Sequence, residues 1–303
     1  MALIQPPRLL PVLAATVGLF RHRRSGLNDP AALPRIERSL AGATLDADWL
    51  AAYRASVGLP VEPALPPLAL QIAAAPLHMA ILGDPRFPFR ALGLVHLTQR
   101  ITQTAPMPAD ARFELRAFCA DGRWEKRGMS FGLVTEAIVE GARVWRGETR
   151  ALAPGKTQAL VSASADSSVA AEEPAGHCAC DQVLPVAEST GRRYAAIAGD
   201  LNPIHQHALL ARLFGFRRAI VHGTWTLARA LAVAGLPDAP AFTLDARFRR
   251  PVELPSDIRV RAWIGASAGP GLPPGGSHRV WVTSQSSGKL CLDIDLQASP
   301  AAS

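Results

Sequence analysis

The chain has 303 residues, 49 % hydrophobic and 19 % charged, and its 32 basic against 25 acidic residues leave a formal charge of +7. That composition excludes a disordered or solvating chain, and no uninterrupted apolar run reaches the roughly 18–20 residues of a bilayer-spanning helix. The four cysteines are too sparse for a disulfide scaffold and read as reduced thiols of a cytoplasmic protein.

In chain order, Leu9–Phe20 comes first, an apolar stretch behind Arg8. Pro6, Pro7 and Pro11 interrupt it, and Arg21, His22, Arg23 and Arg24 follow it directly. With no small-x-small cleavage site, it reads as a segment packed on the body and not as a signal peptide. Leu68–Leu82 is an apolar segment of helical length that ends at Gly83-Asp84-Pro85. Strand-like runs follow at Leu92–Thr102, Arg112–Ala120, Ser130–Glu140 and Ala142–Ala151, several of them alternating apolar with polar residues. Residues 153–175 have linker composition, with room for an edge strand at Gln158–Ser164. They divide the chain into units 1–152 and 176–303, each of ordinary domain size.

The second unit repeats the rhythm of the first. Ala219–Leu236 is its long apolar helix, and strands are expected at Thr243–Phe248, Ile258–Ala266, Arg279–Ser286 and Leu290–Ala298, with a Gly/Pro turn over Gly265–Gly276. A buried helix followed by antiparallel strands, stated twice, is a duplicated α+β unit. His177-Cys178-Ala179-Cys180 lacks the spacing of a metal-ligating pair and has no second pair after it, so no metal site is expected. Cys119 and Cys291 lie in strand-like apolar contexts and read as core thiols. Only Lys126, Lys156 and Lys289 are lysines. The arginines are scattered, with no run that alternates with aromatics, so nucleic acid is not an expected partner.

Tyr194–His222 carries the chemistry. Gly199-Asp200 followed by Asn202-Pro203 is punctuated against any regular element. It is a fixed loop that brings Asp200, Asn202 and His205 within six residues. A carboxylate and an imidazole on a rigid turn can hold one water, one group removing a proton while the other delivers one. A plainer reading stays open: an Asx turn that caps a helix starting near His205. Ile220-Val221-His222-Gly223-Thr224 then opens the apolar helix. Amides at a helix start lack intrahelical acceptors. The Gly223 N–H is therefore a candidate donor to a thioester oxygen that gains charge. His222 is either a second catalytic group or a structural histidine, and His207 is expected on the surface.

Tyr194–His205 resembles the signature of the MaoC-like, hydratase 2 family of acyl dehydratases: an aromatic, small and apolar residues, then Gly-Asp-x-Asn-Pro-apolar-His. The later Ile220-Val221-His222-Gly223 segment and Arg247-Phe248-Arg249-Arg250-Pro251-Val252 are similar to the same family, over about residues 194–262. The resemblance implies a hotdog fold, an antiparallel sheet wrapped around a central helix, and a double hotdog for the whole chain. It implies reversible syn hydration of trans-2-enoyl thioesters to (R)-3-hydroxyacyl thioesters, within fatty-acid metabolism. Asp200 and His205 are then the dyad, Asn202 shapes the loop and orients the water, and Gly223 supplies the oxyanion donor. No metal or redox cofactor is needed. The substrate, an acyl-CoA or acyl-carrier-protein thioester, names the partner. Tyr194, His222, Arg217, Arg218, Arg247 and Arg249 are candidates for binding it, arginine because its planar fork suits phosphate. Stable membrane insertion is not expected, and a homodimer stays open.

The first unit departs from the pattern. Its counterpart of the motif reads Tyr53-Arg54-Ala55-Ser56-Val57-Gly58 and then Leu59-Pro60, without Asp, Asn or His. It reads as a degenerate hotdog whose freed space takes a longer acyl chain along Leu65–Leu82. His78 and His96 read as structural polar groups. Two other functions stay in view: a hotdog thioesterase, and a non-catalytic acyl-thioester-binding subunit with an intact but structural loop.

Overall fold

The computed structural model describes residues 26–155, 173–174, 176–235, 241–265 and 277–299, with the backbone of 2–4. The Leu9–Phe20 segment, the Gln158–Ser164 strand and most of the Gly265–Gly276 turn lie outside the described residues.

Eleven strands build one sheet: β1 (Ala2–Ile4), β2 (Glu37–Leu45), β3 (Val95–Gln103), β4 (Phe113–Glu125), β5 (Gly128–Val139), β6 (Ala142–Pro154), β7 (His177–Val186), β8 (Ala241–Phe248), β9 (Ser256–Ile264), β10 (Ser277–Ser284) and β11 (Leu290–Ser299). Their order is β1-β2-β4-β5-β6-β3-β8-β11-β10-β9-β7. Every pairing is antiparallel except β1 with β2. β3 meets β8 from Thr98↔Arg247 to Gln103↔Phe242, which joins the strands of the two halves into one surface.

Six helices belong to this frame: α1 (Ala47–Val57), α2 (Ala69–Ala73), α3 (Ala75–Leu82), α4 (Thr190–Ala198), α5 (Ala208–Arg212) and α6 (Gly223–Ala234). α6 packs on β7, β9, β10 and β11 and buries Trp225, Leu227, Ala228, Ala230 and Leu231. Each large side chain so buried contributes about 1.5–3 kcal/mol. The main core is continuous between the halves, running from Trp49, Tyr53 and Leu70 to Leu227, Leu244 and Ile294. A second cluster packs Ile81 against Phe87, Phe89 and Phe131.

Two helices differ from expectation. Leu68–Leu82 is not one helix but α2 and α3, broken at Ala74. Pro76 has no amide to donate, and its ring opposes the carbonyl four residues back. The second helix starts at Gly223 and not at Ala219. Ile220 and Val221 are still extended there, held by Ile220 N donating to Ile204 O (3.0 Å) and Val221 N to Val252 O (3.0 Å). Five elements have no counterpart in the sequence analysis: β1, β2, α1, β7 and α4. Gly83-Asp84-Pro85 serves structure. Asp84 is buried and accepts from Arg38 (2.7 Å) and Arg86 (2.9 Å), which hold its carboxyl far below the usual range.

Candidate active site

α4 delivers the loop. Its last turn closes with Gly199 N donating to Ala195 O (2.9 Å), and Gly199 takes φ +70°, a left-handed conformation that costs glycine little. Two side chains then fold the turn on itself. Asp200 Oδ1 accepts from Asn202 N (3.0 Å), and Asn202 Oδ1 accepts from Ile204 N (3.3 Å). The second of these caps a 3-10 turn, Pro203–His205, where Pro203 stands at the first position it tolerates best. The turn carries His205 back beside Asp200. α5 starts only after this, capped by His207, which is exposed as expected.

The geometry fixes the protons. His205 Nδ1 lies 2.8 Å from Ile220 O, and a carbonyl only accepts, so Nδ1 carries the hydrogen. That leaves the Nε2 lone pair of neutral His205 facing Asp200 Oδ2 at 3.7 Å. His222 stacks on His205 with ring centroids 3.7 Å apart, and its Nε2 donates to the backbone oxygen of Asp200 (3.1 Å). Burial drives the His222 pKa down to about 3, helped by His205 and opposed by Asp200. The Asp200 side chain is about half exposed; desolvation at the cavity wall pushes its carboxyl up, but His222, His205, the Asn202 amide and His96 outweigh it and leave Asp200 below its ordinary value. The site therefore presents a carboxylate beside the neutral imidazole of His222. One donor atom each from Asp200, His205 and His222 lies within 4.8 Å of the others.

A cavity of about 290 Å³ opens at this loop. The second unit lines it with Gly199, Asp200, Asn202, Pro203, His222 and Thr224, and the first unit lines it with Gln71, Met79, Leu133, Thr149, His78 and His96. The two histidines carry structural hydrogen bonds, to Thr135 Oγ1 (2.7 Å) and Thr98 O (3.1 Å). They also form part of the cavity wall, which the sequence analysis missed; β3 and α3 lie about 90 residues or more before the motif, and no local pattern announces the contact.

The remaining candidates are spread out. Tyr194 is buried behind the loop, its ring edge-on to His222 at 5.2 Å. Gly223 is the first residue of α6, with the Phe248 ring packed against its Cα. Arg217 and Arg218 are exposed on the loop after α5. Arg247 and Arg249 face Asp293 at 3.8 and 3.7 Å. None of these four arginines lines the cavity.

Residues 170–269 match the family model described as MaoC like domain. Over 217 residues the chain is 33 % identical to 3-hydroxyacyl-thioester dehydratase X of Mycobacterium tuberculosis, covering 70 % of this chain and 74 % of that one. The chain belongs to the MaoC-like dehydratase family. A crystal structure of HtdX from Mycobacterium tuberculosis superposes with a TM-score of 0.70 at 27 % identity, over 87 % of this chain and all of that one. A MaoC-like dehydratase from Phytophthora capsici, 14 % identical, shares the fold with a TM-score of 0.65 over 92 % of this chain and 100 % of that one. The architecture of this MaoC-like protein is thus the α+β double hotdog. No described helix is long and apolar enough to cross a membrane.

Proposed function

We propose that this MaoC-like protein is an (R)-specific enoyl-thioester hydratase and 3-hydroxyacyl-thioester dehydratase that works through Asp200 and His205. One observation carries the reading: two acceptor atoms, Asp200 Oδ2 on the cavity wall and Nε2 of the buried His205, face each other at 3.7 Å. A water between them donates one hydrogen to each, which aims its oxygen lone pair into the cavity. In hydration the water oxygen bonds the β-carbon of the enoyl thioester, and one O–H bond breaks toward the dyad. The dyad returns that proton to the α-carbon on the same face. Dehydration is the reverse.

The thioester carbonyl collects negative charge as this happens. The Gly223 amide, the first of α6, is suited to receive it. Asn202 holds the turn through Ile204 and keeps its Nδ2 for water or substrate. The thioester itself acidifies the α-carbon, so the reading calls for no metal or redox cofactor. The carrier is coenzyme A or acyl carrier protein. The name of the Mycobacterium tuberculosis relative supports the substrate class.

The test monitors loss of enoyl absorbance with short and long trans-2-enoyl-CoA, with chiral analysis of the product. The expected product is the (R)-alcohol, and Asp200→Asn and His205→Ala each lose about 10²–10⁴-fold, the usual range for a positioned acid–base group. Release of free coenzyme A without hydration would replace the reading with a thioesterase. Folded protein that hydrates neither CoA substrate but does hydrate the acyl-carrier-protein thioester would keep the reading and fix the carrier, and silence on both carriers would leave a binding subunit.

A further inference from the structure

The wall that the first unit gives to the cavity is not uniformly apolar. Ile72, Met79 and Leu133 line it, but so do Gln71, His78 and Thr149. These polar side chains belong to a buried relay. Gln71 Nε2 donates to Thr149 Oγ1 (3.0 Å), and Thr149 donates on to Gln99 Oε1 (2.7 Å). His78 Nε2 meets Thr135 Oγ1 beside them. Gln71 is 6 % exposed, and Gln99 and Thr135 are completely buried. The relay is incomplete at one atom: Gln71 Oε1 is buried with no hydrogen-bond partner. Leaving such an atom unpaired costs about as much as a lost hydrogen bond. A purely hydrocarbon tail drawn over this wall would leave the deficit in place. The terminal amide torsion of glutamine is soft, so Gln71 can turn its carbonyl toward a donor in the cavity.

The relay reaches the rest of this wall, because the Gln99 side chain also hydrogen-bonds His96, so that Gln71, Thr149 and His96 line the cavity as one connected polar surface.

We propose that this cavity selects acyl thioesters whose chain carries an oxygen function, a hydroxyl above all, with Gln71 and Thr149 as its partners and His78 beside them. This inference rests on the hydratase reading and names the substrate class for the same site. A site built to hydrogen-bond a substrate hydroxyl discriminates strongly against the analogue that lacks it, because its own polar groups are then left unpaired.

The experiment compares trans-2-decenoyl-CoA with a series that bears a hydroxyl at successive positions of the tail. It uses the full chain and reads kcat/KM for hydration. The saturated counterparts, which cannot react, are titrated calorimetrically in parallel. The best hydroxylated substrate is expected to exceed decenoyl-CoA by about tenfold or more in kcat/KM, and its saturated form to bind tighter by a similar factor. In Gln71→Met and in Thr149→Val the ratio falls toward one. Thr149→Ser, which keeps the hydroxyl, retains it and separates loss of the hydrogen bond from loss of the fold. A ratio at or below one at every position, in both measurements, overturns the inference. So does a ratio that survives in Gln71→Met and Thr149→Val. If no enoyl thioester is hydrated, the hydratase reading fails by itself, and the calorimetric ratio still decides the tail preference.

Discussion

His205 is held by a backbone that leaves almost no slack. Its Nδ1–H is committed to Ile220 O, its amide donates to Asn202 O (3.0 Å), and its own carbonyl oxygen lies against Gly191 of α4. A methyl group at Gly191 would run into that carbonyl, so glycine there is a condition of close approach. Gly191→Ala must push the 3-10 turn away from α4, and overpacking of this kind costs about 1–3 kcal/mol. The turn carries the imidazole with it. A shift well under 1 Å is enough to spoil a near-attack geometry. The expected result is a drop of at least about tenfold in kcat with a modest loss in thermal midpoint. A variant that loses stability but keeps full kcat would show that the dyad does not depend on this contact. At this scale the sequence is informative where the structure is local. Asp200, Asn202 and His205 sit within six residues of one turn, and glycine and proline announce that turn. His78, His96 and Gln71 reach the cavity through tertiary packing, and their own neighbours in sequence say nothing of it.

Among the elements, α1 and α4 form a matched pair. Tyr53 precedes Gly58 by the same five residues that separate Tyr194 from Gly199, and both glycines close their helices in the left-handed region, at φ +73° and +70°. Beyond these glycines the two units diverge. The second continues into Asp200 and Asn202, and the first into Leu59 and Pro60. The shared helix thus survives where the chemistry does not. α1 has instead become a brace: Trp49 Nε1 donates to Ile197 O (3.0 Å), and its Ser56 carbonyl accepts from Trp225 Nε1 (2.9 Å). Its start is fixed by Asp46, whose Oδ1 accepts from Trp49 N (2.9 Å). Replacing such a cap by alanine costs about 1 kcal/mol. Asp46→Ala should lower the urea midpoint by that energy divided by m, about 0.3–1 M, with an unchanged m-value. An unaltered midpoint would mean that packing alone fixes the helix start. Neither α1 nor β2 is legible in the sequence. β2 buries only Ala43 and Leu45 fully among its nine residues, and the α1 stretch reads as a failed motif. β4 is legible because an alternating run leaves little choice of face, whereas β5 is buried along ten of its twelve residues and does not alternate.

For the whole molecule, the deciding pairing is β3 with β8. Each is the first strand after the buried helix of its unit, and they pair antiparallel, as equivalent strands do across a two-fold axis. This contact links residues about 145 apart, so no window of sequence contains it. It also brings the first unit's histidines over the second unit's loop. Three imidazoles that line the cavity are stored neutral. Burial takes His78 and His96 down to about 4 and His222 to about 3, from an ordinary 6.5. The unfolded chain binds protons at these positions throughout the window from pH 6.5 to about 4, while the native protein does not. Stability rises with pH wherever the unfolded state holds more protons, so here it must fall as the pH drops through that window. Asp200, held below its ordinary 3.8, keeps its contribution across the window and loses it only beneath. Urea midpoints measured from pH 7 to 4.5 should therefore decline continuously. His78→Gln, which keeps a polar partner for Thr135 but cannot titrate, should flatten the decline. A midpoint that stays level over this range, or a slope that His78→Gln leaves untouched, would mean that these imidazoles take up protons in the native state and that the cavity is wetter at neutral pH than its walls imply.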